Sequence, residues 1–90
     1  MDEILSNAIR SWYYDVRDTG DTNYTTLKIK FETESGLTQR CRINYDLGDN
    51  EFCLRFEGSH HIQMIESLTF DRLKNHGIHT IISFTFSSTK

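Results

Sequence analysis

Proline is absent from this chain, cysteine occurs only twice, and no hydrophobic run is long enough to span a bilayer. Each scarcity excludes a class. Disordered chains are rich in proline and poor in aromatics, whereas here 12% of residues are aromatic and 37% hydrophobic, so the chain folds. Two cysteines in 90 residues are too few for a secreted disulfide scaffold. The uncharged stretch Ile78–Thr89 is interrupted by Ser and Thr and falls short of the roughly 20 apolar residues a membrane helix needs. The five glycines stand singly, which leaves no phosphate-cradling loop and no dinucleotide fingerprint. Positive charge is scarce as well. Ten Lys and Arg face 13 Asp and Glu, a net charge of -3, whereas dedicated nucleic-acid binders are strongly basic. Asp2 and Glu3 stand where a secretory leader carries positive charge, so a cytoplasmic location is expected. The length fits one domain, residues 1–90, with a single core.

What is present is periodic. Ile4, Leu5, Ala8, Ile9, Trp12, Tyr13 and Val16 form one apolar stripe at helical spacing, with Asp2 as N-cap, and the turn formers of 18–23 end the helix. From Tyr24 the period changes to two. Leu27, Ile29 and Phe31, then Cys41, Ile43 and Tyr45, then Phe52, Leu54 and Phe56 alternate with polar residues, as half-buried strands do. Glu34-Ser35-Gly36 suits a three-residue hairpin loop, which pairs Phe31 with Gln39, Ile29 with Cys41 and Leu27 with Ile43. Gly48-Asp49 suits a two-residue turn, which pairs Tyr45 with Phe52, Ile43 with Leu54 and Cys41 with Phe56. That register puts Cys41 in the core and Cys53 on the opposite face beside Asn44, so both thiols are expected to be free.

Ile62, Ile65, Leu68, Phe70 and Leu73 suggest a second helix over 60–75, with Ser59 as N-cap and Gly77 just past its end. The rival is a short strand at 62–66 followed by a helix from about Thr69. Ile78, Thr80, Ile82, Phe84 and Phe86 then alternate as a last strand, whose neighbour, first or third strand, the pattern leaves open. The expected class is α+β: a three-stranded antiparallel meander plus a C-terminal fourth strand, with two helices packed on one face, in the order α-β-β-β-α-β.

Two charge clusters follow from this register. On the open face Lys28 opposes Arg42, Lys30 opposes Arg40, and Arg42 opposes Arg55, with Glu32 and Glu57 as the only nearby acids. Like charges directly opposite one another destabilise a sheet, so the cluster asks for a reason. It suits a nucleic acid, a nucleotide or an acidic protein surface, or is simply a solvated face. The second cluster is acidic: Asp18, Asp21, Asp46, Asp49 and Glu51 gather at one end, with Tyr14 nearby as an exposed anchor. Its plainer reading is ordinary turn chemistry, since loops favour Asp and Asn. Neither acidic turn has EF-hand spacing, and His60 and His61 lie a helix length from His76 and His79, so no metal and no cofactor is expected. No nucleophile has a base beside it, so the chain is not expected to be an enzyme. The function expected is a small protein–protein interaction module of the inhibitor, immunity or adaptor type, meeting a basic surface of a larger protein through the acidic end. Nucleic-acid or nucleotide binding on the basic face is the alternative, and a homodimer through the C-terminal edge strand a third.

Overall fold

The computed structural model describes residues 2–19, 26–46, 51–66 and 68–87. Helix α1 spans Asp2–Thr19, followed by β1 (Thr26–Glu32), β2 (Thr38–Asp46), β3 (Glu51–Phe56), β4 (Gln63–Ile65), α2 (Phe70–Asn75) and β5 (Thr80–Ser87). The strands form one antiparallel sheet in the order β4-β3-β2-β1-β5. No helix among the described residues is long and apolar enough to cross a membrane.

The fold is α+β, and its first three strands pair in the expected register: Ile29 with Cys41, Leu27 with Ile43, Ile43 with Leu54, and Tyr45 with Phe52. Apolar matching dictates this, because a one-residue slip would turn every core side chain to solvent. At the β1–β2 hairpin, Gly36 adopts φ of 88°, and the Thr33 N–H donates to the Leu37 carbonyl at 2.8 Å. The expected turn at Gly48-Asp49 lies outside the described residues.

One core joins both helices to the same face of the sheet. Leu5, Ile9 and Trp12 of α1 and Leu73 of α2 are buried with Leu27, Ile29, Phe31, Ile43, Phe52 and Leu54. Phe52 lies at an aromatic hub, its ring centroid 5.5 Å from Trp12 and Tyr13 and 5.0 Å from Tyr45. The helical stripe is narrower than expected: Ile4 is 68% exposed, because a helix on a sheet buries only the residues directly beneath it.

Residues 60–75 do not form one helix, and the rival reading holds. After Gly58 (φ 84°) the chain turns back, and β4 pairs with the outer edge of β3, setting Ile65 opposite Phe52 and Met64 opposite Cys53. Pairing satisfies backbone groups on β3 that a helix would leave open. Ser59, expected as N-cap, instead accepts from the His61 N–H at 3.1 Å within the turn. The cap is Thr69, in extended conformation, whose hydroxyl accepts from the Arg72 N–H at 3.2 Å. The helix ends where the sequence indicates: Gly77 (φ 94°) and Ile78 return their N–H groups to the carbonyls of Lys74 and Leu73.

With the edge of β3 taken, β5 docks on β1, Leu27 facing Phe86 and Ile29 facing Phe84. The register shifts between Lys30↔Ser83 and Phe31↔Ile81, so Ile82 is an extra residue in β5. That bulge corrects the expected alternation: Ile81, half-buried, packs against the core, while Ile82 is 37% exposed.

Candidate functional site

The helices cover one face of the sheet, and the cations stand on the other. Lys28 and Lys30 alternate with the buried Leu27, Ile29 and Phe31, and Arg40 and Arg42 flank the buried Cys41. Burying one face of β1–β3 therefore forces all five cations, with Arg55, onto the opposite face. The ladders arrange them in two rows. One row runs Thr85, Lys28, Arg42, Arg55 across β5, β1, β2 and β3, and the other runs Ser83, Lys30, Arg40. From standard strand geometry, Lys28 to Arg55 spans about 9–10 Å and the rows stand about 7 Å apart.

The rows border an open concavity of about 630 Å³. Glu57, whose N–H donates to the Arg40 carbonyl, is its one carboxylate among the described residues, and Ser83 and Thr85 contribute hydroxyls. Lys28, Arg40, Arg42 and Arg55 are exposed and Lys30 half-buried. Among the described residues none of the five forms a salt bridge; the one ion pair, Arg72 with Glu66 at 3.9 Å, lies elsewhere. Arg55 is steadied by donating from Nε to the Ser59 carbonyl at 3.3 Å. Phe56 and Phe84 border the concavity but pack against the core, so no aromatic ring is presented on this face among the described residues.

Further along the same strands the charge changes sign. Next comes the neutral pair Asn44 and Cys53, and then Asp46 opposite Glu51. Asn44 Nδ2 donates to the buried Thr26 hydroxyl at 2.7 Å, and Cys53 Sγ lies 3.6 Å from Met64 Sδ. Trp12 and Tyr13 pack on Phe52, the neighbour of Glu51, which brings the C-terminal part of α1 to this end of the sheet. Tyr14 is 46% exposed, edge-on to Tyr13, and borders a second groove of about 540 Å³ with Leu68 and Phe70. Of the acidic candidates, Asp18 falls in the last turn of α1, while Asp21 and Asp49 lie outside the described residues.

The remaining reactive groups do not converge. Neither cysteine forms a disulfide; Cys41 lies in the core and Cys53 partly exposed on the open face. Burial pushes the Cys41 thiol up to about 12, so it stays protonated at neutral pH. His60 and His61 are exposed, His76 Nδ1 lies against Gln63 Oε1, and His79 Nδ1 is 3.1 Å from the Thr80 hydroxyl. Among the described residues, no three His, Cys, Asp or Glu side chains come together as a metal site would require.

Sequence reasoning reached the five cations and Glu57, which the β2–β3 register extended by one step sets beside Arg40, but missed Ser83 and Thr85, whose place depends on which strand β5 joins. Compared with family models, curated proteins and solved structures, the chain matches none.

Proposed function

We propose that this chain is a small binding module acting through segregated surface charge, with the cationic open face as its contact for an anionic partner. One observation carries the reading: Arg42 stands between Lys28 and Arg55, and no carboxylate among the described residues is ion-paired to any of them. Such an arrangement opposes folding, and a bound anion relieves it. Two cysteines outside any disulfide agree with a reducing compartment such as the cytoplasm. With no reactive cluster on the face among the described residues, binding rather than catalysis is the work proposed for it.

A second reading is the acidic end as a contact for a basic surface of a larger protein, in the manner of an inhibitor or adaptor. Asp46 opposite Glu51, with exposed Tyr14 at the same end of the core, favours it. Amide NMR titrations separate the two. Polyglutamate, a DNA duplex or tripolyphosphate should shift residues 28–30, 40–42 and 55, with affinity falling steeply between about 50 and 200 mM salt. Polylysine shifting Tyr14 and Glu51, while every polyanion leaves the face unmoved, would establish the second reading and refute the first. The mass in solution is read in the same samples; a persistent monomer removes the edge-strand homodimer.

A further inference from the structure

We infer, building on that reading of the open face, that its ligand is a short chain of linked phosphates, held by Arg42 and its neighbours with no contribution from a base. Three features lead there.

The first is size and charge density. Five cations stand within an area about 10 by 7 Å, set by two inter-strand steps and one two-residue step along the strand. An anion answering them must bring several charges into that small area, as linked phosphates do, each unit carrying its own. A peptide strand presents carboxylates on one face only at alternate positions, about 7 Å apart, and would leave Arg42, at the centre of the Lys28–Arg42–Arg55 row, unanswered.

The second is the rest of the molecule. These five cations are half of the ten Lys and Arg, and the other five offset only part of the 12 Asp and Glu other than Glu57. By composition the rest of the chain is strongly acidic. A long polyanion crossing the face would meet that field, whereas a ligand lying within the concavity of about 630 Å³ meets the cations and, among the described residues, one carboxylate, Glu57.

The third is the chemistry of the rim. Three of the cations are arginines, whose planar forks reach two oxygens of one phosphate, and Ser83 and Thr85 offer hydroxyl donors beside Lys30 and Lys28. No aromatic ring is presented on the face among the described residues, so a nucleobase has nothing to stack on. The phosphate chain could be free or the tail of a nucleotide, and the face reads it alike in both.

Calorimetric titration of the wild-type protein with tripolyphosphate, ATP, adenosine, polyglutamate and a DNA duplex tests this at one ionic strength. Tripolyphosphate and ATP should bind within about threefold of each other, and adenosine should not bind. Arg42→Gln, at an exposed position, should weaken both at least tenfold, about the worth of one charge-assisted hydrogen bond. Lys74→Gln, an exposed cation on α2, should leave both unchanged. ATP binding more than tenfold tighter than tripolyphosphate would overturn the inference, because the base would then be read. Polyglutamate or duplex binding that Arg42→Gln abolishes, with tripolyphosphate inert, would also overturn it and leave the face's role standing. Should no polyanion bind, both fall.

Discussion

The two faces of this sheet are made by the same strands from alternating residues, yet they obey different rules. On the covered face every choice serves folding: Leu27, Ile29, Phe31, Ile43, Phe52 and Leu54 are at most 1% exposed, and the rings of Trp12 and Tyr13 close over them. On the open face three cations stand side by side at Lys28, Arg42 and Arg55, an arrangement that works against folding. Where the two halves of one strand pull in opposite directions, stability explains one, and for the other we propose a bound anion.

Substitutions can break or sharpen that contrast. The largest effect belongs to the covered face. Phe52→Ala removes the ring that meets Trp12, Tyr13 and Tyr45 and should cost about 3–5 kcal/mol in urea unfolding. A loss below about 1 kcal/mol would mean that the hub is not where the core is held.

Next comes the contrast between the thiols on the two faces. The folded protein holds Cys41 up near 12 against an ordinary value of 9.0. A raised folded value means that the unfolded chain loses its proton first, so the stabilisation is complete below pH 9 and lost as pH rises towards 12. Stability measured across that window should fall more steeply in the wild type than in Cys41→Ala. In native protein at neutral pH a thiol reagent should modify Cys53 and leave Cys41 untouched until denaturant is added. Equal labelling rates would show that the covered face is open to solvent.

A smaller effect is expected at α2. Thr69→Ala deletes the hydroxyl that receives the Arg72 N–H and should cost about 1 kcal/mol, whereas Ser59→Ala should cost less, since Ser59 caps no helix. The reverse order would restore the longer helix over 60–75.

The smallest effect has the opposite sign. Arg42→Gln should leave stability unchanged or raise it by about 0.2–1 kcal/mol, by relieving the repulsion from Lys28 and Arg55. A clear loss would show that the open face is held together by its arginines, as the covered face is by its rings.

Legibility in the sequence also divides along physical lines. The pairings of β1, β2 and β3 were readable because one buried face makes a register slip prohibitive, and the five cations came with them. Residues 60–75 were not, because Ile62, Ile65 and Leu68 fit a helical period nearly as well as a short strand and a turn. What decides is the free edge of the preceding strand β3, which lies outside the window that the periodicity reads. Ile82 misled for a similar reason: alternation assumes an unbroken ladder, and a bulge resets it. Because the place of β5 was open, so were Ser83 and Thr85, which complete the rim.

The most direct test of the central claim is the thermal unfolding midpoint of the wild type and of Lys28→Gln/Arg42→Gln/Arg55→Gln, with added tripolyphosphate, polyglutamate or duplex DNA at fixed ionic strength. A ligand that binds only the folded state raises the midpoint, by an amount that grows with the logarithm of its concentration once that exceeds Kd. The account predicts a rise in the wild type with at least one of these polyanions and none in the triple variant. No rise with any of them, or the same rise in both proteins, would contradict it.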